Sequence, residues 1–253
     1  MSLLSEAELE RYSRQLLMDE WGGAAQERLK AARAIVVGAG ALGSPVATYL
    51  AAAGVGQIGV VDGDVVELSN LHRQPLHLTP DLGARKAEAA AAKLGLLNPE
   101  VVVESYPVML EEGNAEAIVM GADVVVDCTD SFEARYLVND ACCAQRIALV
   151  EGGVVAFDGL VMSIRPGESA CYRCAFPEAP ATARGCREEG VLGAMAGAIG
   201  SFMALEALKL LGRVGEPLLD RFLQVDGRDL SQTHVATTRR LDCPACAGAS
   251  SSR

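Results

Sequence analysis

The segment Gly38-Ala39-Gly40-Ala41-Leu42-Gly43 sets glycines at the spacing G-x-G-x-x-G, directly after the apolar run Ala34-Ile35-Val36-Val37 and before a helix-forming stretch. Placed there, the glycines permit a tight turn, and backbone N–H groups at the helix N-terminus can face a phosphate. Asp62 ends the next apolar run about twenty residues on, where a carboxylate can accept from ribose hydroxyls. These two features describe a dinucleotide site, so an NAD-dependent oxidoreductase is one expectation. The residues that follow favour ATP. Arg73 and Lys86 fall in segments that emerge near the phosphates. A triphosphate about to be cleaved needs cations on the developing pyrophosphate, whereas the pyrophosphate of a dinucleotide is met mostly by backbone amides. Asp130, in Asp127-Cys128-Thr129-Asp130 at the end of a fourth strand, offers a Mg²⁺ ligand, because that ion takes one or two carboxylates with phosphate oxygens. Plainer alternatives stand beside these: Arg73 and Lys86 as solvated surface, and Asp130 as the N-cap of the helix after it. Asp127 suits a structural role. A nucleotide-binding module without turnover is a third expectation.

Cys171-Tyr172-Arg173-Cys174 and Cys243-Pro244-Ala245-Cys246 form two C-x-x-C pairs. Four thiolates at such spacing fit a closed tetrahedral zinc site, which would staple the C-terminal tail to the body. Redox-active C-x-x-C is the alternative, but neither pair is expected to open a helix after a strand, as that chemistry prefers. Cys186 lies between Arg184 and Arg187, which could lower its thiol pKa. A bland exposed cysteine is the other reading. Cys128, Cys142 and Cys143 read as buried and structural.

Positioning these residues requires strands alternating with helices. Ser5 with Glu8 makes a capping box for a helix over 5–20, and a short second helix covers 24–32. Strands are expected at 34–37, 57–62, 101–104, 123–127 and 147–151, with helices at 44–53, 83–97 and 132–145. That alternation gives a Rossmann-like α/β fold with a doubly wound, mostly parallel sheet. Beyond 154 the pattern changes to strands at 159–165 and 221–226, which flank a loop and a long apolar helix over 191–211. One continuous domain is expected over 1–247, with N-terminal helices (1–33), a nucleotide-binding core (34–153) and an elaborated C-terminal third with the zinc staple (154–247), then a disordered tail at 248–253.

Half of the 253 residues are hydrophobic and only 4% aromatic, a composition suited to helices packed closely on a parallel sheet. A net charge of −11 argues against a nucleic-acid partner. Glu206 and Lys209 interrupt the 191–211 stretch, so it reads as a buried core helix and not a membrane span. The N-terminus lacks a signal-peptide pattern, so a cytoplasmic protein is expected, in which eight cysteines need not be disulfides.

Together, Arg11-Tyr12-Ser13-Arg14-Gln15, the glycine turn, Asp62-Gly63-Asp64, Ser69-Asn70-Leu71-His72-Arg73-Gln74, Gly83-Ala84-Arg85-Lys86, Asp127-Cys128-Thr129-Asp130 and both cysteine pairs resemble the MoeB/ThiF/HesA family, bacterial relatives of ubiquitin-activating enzymes. The match covers almost the whole chain. The resemblance implies ATP-dependent adenylation of the C-terminal glycine of a ubiquitin-like sulfur carrier ending in Gly-Gly, for molybdopterin, thiamine or related sulfur-transfer biosynthesis. In the family pattern the position of Asp62 binds ribose, Asn70, Arg73 and Lys86 contact phosphates, and Asp130 holds Mg²⁺. Arg14 would reach the site of a neighbouring subunit, which implies a homodimer. Gly38, Gly40, Ala41, Gly43, Asp64 and Gln74 complete the implied nucleotide-binding set. Ala41 departs from members with a second consecutive glycine there, and its methyl slightly limits backbone approach to the phosphates. A cysteine in the loop of Cys186 can form a thioester or persulfide link to the carrier in some members. The sequence shows no rhodanese-like extension, so a separate sulfur donor is expected.

Overall fold

In the computed structural model, which describes residues 4–179 and 189–247, each of the first five expected strands forms. They are β1 (Arg33–Val37), β2 (Gln57–Val61), β3 (Val102–Tyr106), β4 (Val124–Asp127) and β5 (Ala148–Val155). All pair in parallel, in the spatial order β3-β2-β1-β4-β5. Successive side chains of a strand point to opposite faces, so these runs feed two cores. Ala34, Val36, Ile58, Val60, Val124 and Val126 enter one, while Ile35, Val37, Val61, Val125 and Leu149 enter the other. Both faces of β1, β2, β4 and β5 are covered, which is why those strands are almost continuously apolar, whereas β3 lies exposed at the sheet's edge.

The first core is closed by α4 (Gly43–Ala53), α5 (Lys86–Leu97) and α9 (Gly193–Gly212), through residues such as Leu50, Leu94 and Met203. The second is closed by α6 (Ala115–Val119) and α7 (Phe132–Gln145), through Val119, Val138 and Cys142. Beyond β5 the sheet turns antiparallel and adds β6 (Asp158–Ile164), β7 (Arg221–Asp226) and β8 (Ser231–Ala236) in that order. The sheet is thus doubly wound and mostly parallel, with an elaborated C-terminal third.

The apolar helix α9 is long and apolar enough to cross a membrane, yet it packs on α4, β5 and β6. Its buried Glu206 accepts from the Ser163 hydroxyl at 2.6 Å and the Leu218 N–H at 2.7 Å, and pairs with Lys209. Those contacts satisfy the charges inside the fold.

Three expectations about elements need correction. The single helix at 5–20 is two, α1 (Glu6–Arg11) and α2 (Ser13–Leu16), because Tyr12 is drawn inward and its hydroxyl accepts from Asn98 Nδ2 at 2.8 Å. The helix expected from 83 starts at Lys86, since Arg85 is extended and pairs with Val65 as an isolated bridge. Strand β5 extends past 151 because β6 pairs with it as far as Val155 opposite Asp158.

Candidate functional site

The carboxyl ends of β1, β2, β4 and β5 open into a cleft of about 640 Å³. At its base lies the glycine turn between β1 and α4. A Cβ on Gly43 would sit 1.9 Å from the Gly38 carbonyl oxygen, and Gly38 itself has φ +94. Neither position admits a side chain, so the turn's backbone is free to approach a phosphate.

Asp62 does more than await a ribose. Its Oδ2 accepts from the Ala39 N–H and its Oδ1 from the Asp64 N–H, both at 2.8 Å. On the other side, His77 Nε2 lies 2.8 Å from the Ala39 carbonyl oxygen. Burial holds the His77 imidazole below its ordinary pKa, so it stays neutral and Nε2 carries the hydrogen that Ala39 accepts. Sequence reasoning passed over His77, because a lone histidine in a loop carries no signal until the loop's path is known.

The segment after β2 brings the expected cations to the same cleft. Asp64 accepts from the Lys86 N–H with its carbonyl at 3.0 Å and from the Lys86 ammonium with its carboxylate at 3.0 Å. Lys86 is only 6% exposed, which disposes of the solvated-surface alternative for it. Arg73, half-buried, donates to the Ser69 carbonyl at 2.7 Å. Asn70 is buried, and its Oδ1 accepts from the Glu67 N–H at 3.2 Å, which closes the 3₁₀ turn Leu68–Asn70. Gln74 is buried beside Gly40, and among the described residues its Oε1 has no partner. Gly38, Gly40, Ala41, Asp62, Asp64, Asn70, Arg73, Gln74, Lys86 and Asp130 therefore share one cleft.

Asp130 is exposed at the cleft's edge. The N-cap of α7 is its neighbour Ser131, whose hydroxyl accepts from the Ala134 N–H at 3.2 Å, so the capping alternative for Asp130 falls. Asp127 is fully buried away from the cleft, as its structural reading requires. Arg14 sits exposed on α2 and does not line this chain's own cleft. Cys186 lies outside the described residues.

The cysteine pairs meet in the second core, beside α7. The Sγ atoms of Cys171, Cys174, Cys243 and Cys246 all lie within 4.8 Å of one another and are buried. Their separations are 3.5 Å for Cys171–Cys243, 3.5 Å for Cys174–Cys246 and 3.8 Å for Cys171–Cys174. Four thiolates at about 2.3 Å from a tetrahedral Zn²⁺ stand about 3.8 Å apart, so the donor set fits that ion. The Arg240 N–H donates to Cys174 Sγ at 3.3 Å, a second-layer bond usual around a thiolate. One expectation fails: Cys171 does open a helical turn, α8 (Tyr172–Ala175), as its N-cap. The turn is one coil long and shares its cysteines with the second pair, unlike a redox loop.

A family model described as the ThiF family matches residues 12–245. The chain is 46% identical over 245 residues to the SAMP-activating enzyme E1 of Haloferax volcanii, covering 96% of this chain and 90% of that one. It is 45% identical over 249 residues to the sulfur carrier protein adenylyltransferase of Thermus thermophilus, covering 96% and 92%. With the Mus musculus adenylyltransferase and sulfurtransferase MOCS3 it shares 46% identity over 246 residues, which is 96% of this chain and 54% of that protein. In fold it is similar to E. coli MccB solved with ATP, at TM-score 0.80 and 20% identity, covering 96% of this chain and 82% of that one.

Proposed function

This chain belongs to the ThiF family and is an adenylyltransferase, and from that premise we propose that it adenylates the C-terminal glycine of a ubiquitin-like sulfur carrier ending in Gly-Gly. The products are a carrier acyl-adenylate and pyrophosphate, for molybdopterin, thiamine or related sulfur-transfer biosynthesis. The observation that carries the proposal is a buried lysine, Lys86, in the same cleft as a glycine turn stripped of side chains and an exposed aspartate, Asp130. That combination suits a triphosphate with its metal and leaves the dehydrogenase alternative without a role for Lys86.

In the reaction, a carboxylate oxygen of the carrier's last glycine attacks the α-phosphorus, the bond to the bridging oxygen breaks, and pyrophosphate leaves. The turn's N–H groups hold phosphate oxygens, Asp62 accepts from ribose, and Lys86 with Arg73 and Asn70 meets the charge that develops on pyrophosphate. Asp130 would hold Mg²⁺, which supplies further charge neutralisation. No covalent nucleophile is needed for this step. The four thiolates would hold one structural Zn²⁺. A homodimer in which Arg14 of each subunit serves the other's cleft, and a separate sulfur donor, complete the proposal.

Carrier-stimulated exchange of labelled pyrophosphate into ATP tests it. The wild-type chain should exchange with a carrier ending in Gly-Gly. Asp130→Ala should lower the rate by about 10² or more while its circular dichroism and melting stay those of the wild type. Normal exchange in that variant would refute the metal role, and no exchange with carriers of the molybdopterin, thiamine and archaeal types would sink the activity.

A further inference from the structure

We propose that Arg135 is a substrate-binding residue of the adenylation site, and that its guanidinium takes the terminal carboxylate of the incoming carrier tail. The inference rests on the adenylation reading and adds the residue that receives the attacking group.

Arg135 comes from the first turn of α7 and lines the cleft with its side chain 15% exposed. Besides the Phe132 ring, whose centroid is 5.8 Å from its Cζ, and the Tyr172 hydroxyl, three neighbours hold it. Its Nη2 donates to the Thr129 carbonyl at 3.3 Å, and its Nε lies 3.5 Å from Glu151 Oε1. The third neighbour is an absence of side chain: a Cβ on Gly153 of β5 would come within 2.9 Å of both Nη1 and Nη2. The guanidinium is therefore laid against the β5 backbone, where only glycine leaves room for it.

Its donors are not all spent. A guanidinium carries five N–H donors. Among the described residues Nη2 bonds the Thr129 carbonyl, the Tyr172 hydroxyl is a second partner, and the buried Nε has none. Beneath it, Asp127 and Glu151 stand side by side in register on β4 and β5, both fully buried. Burial, then repulsion from Asp127, pushes the Glu151 carboxyl well above the ordinary carboxylate range. The guanidinium lies between these acids and the cleft, where it can receive an anion.

Sheet order decides which anion. Asp62 follows β2, the glycine turn follows β1, Asp130 follows β4, and Arg135 lies over β5. Lys86, paired with Asp64, enters from the segment after β2, on the opposite side of the turn, whereas Arg73 lies beside Gly193 at the start of α9. Three strand spacings, roughly 14 Å, separate β2 from β5. Attack on the α-phosphorus is roughly in line with the leaving group. With pyrophosphate leaving toward Lys86, the attacking oxygen arrives from the side opposite it, which is the side of Arg135. The attacker is a carboxylate, and a planar guanidinium fits that group in two-point fashion.

Two measurements on the full chain test this. In carrier-stimulated exchange, Arg135→Lys keeps the cation against Glu151 and should melt like the wild type, while its KM for carrier rises at least about tenfold and its KM for ATP stays within twofold. In a binding assay without turnover, a peptide ending in Gly-Gly as the free acid should bind the wild type more tightly than its C-terminal amide. Arg135→Gln should abolish that preference and leave Mg-ATP binding unchanged. An unchanged carrier KM in Arg135→Lys, a KM for ATP that rises in parallel, or a preference that survives in Arg135→Gln overturns the inference. Failure of the wild type itself to exchange overturns the adenylation reading instead.

Discussion

Ala39 offers the cleft no side-chain chemistry, yet its N–H is fixed by Asp62 and its carbonyl by His77. The glycine turn is therefore clamped at its centre, which sets where its phosphate-facing amides point. The clamp gives a pH prediction. His77 has a folded pKa below the ordinary value of about 6.5, because burial penalises the charged ring. Between those two values the unfolded chain binds more protons than the folded one, so the contribution is complete above about pH 6.5 and lost as pH falls below it. Melting temperature should thus drop between pH 7 and 5, and the drop should be shallower in His77→Gln; parallel curves for the two proteins would show that His77 does not titrate this way. The site divides here by what residue type can reveal. Lys86, Arg73 and Asp130 are charged groups at motif spacings, and the sequence makes them visible. His77, the bracing role of Asp62, and Arg135 over Gly153 depend on which strands become neighbours, and no local pattern encodes that.

At the scale of elements, α7 ties the cleft to the cysteines. Ser131 caps it, Arg135 follows one turn later, Asn139 accepts from the Tyr172 N–H at 2.8 Å, and Asp140 pairs with Arg173 at 2.7 Å. Removing the cap by Ser131→Ala should cost about 1 kcal/mol. In a chain of this size that lowers the melting temperature by about 2–4 °C. Because Asp130 and Arg135 flank the cap, exchange activity should fall as well; a stability loss with untouched activity would show that the first turn does not depend on its cap to hold them. The parallel strands and most helices were legible, since buried β-branched runs and capping residues act locally. Strand β8 was not. Its sequence Ser-Gln-Thr-His-Val-Ala is polar because it lies exposed at the sheet's edge, and it is a strand only because β7 offers it a ladder. Tyr12 likewise breaks the N-terminal helix for a contact 86 residues away.

At the scale of the whole molecule, two predictions concern what holds its parts together. Arg14 is exposed and away from its own cleft, so the proposed dimer can be tested by mixing. Arg14→Ala and Asp130→Ala homodimers should each be inactive. Co-refolded, they should recover about a quarter of wild-type exchange, because half the dimers are mixed and each holds one complete site. No recovery would mean that Arg14 does not act across an interface. Metal analysis should find about one zinc per chain, and Cys243→Ser should lose it and melt earlier; a stable, metal-free wild type would count against the site. The thiols that meet there are 72 residues apart along the chain, with α9, β7 and β8 between them. A metal closing that span would remove roughly 4 kcal/mol of freedom from the unfolded chain. It would also impose an order in time. During synthesis β1 to β5 and the glycine turn emerge first, whereas the fourth ligand appears only after β8. A nascent chain could therefore hold nucleotide before it can hold zinc, and metal scarcity would be felt by finished chains and not by growing ones.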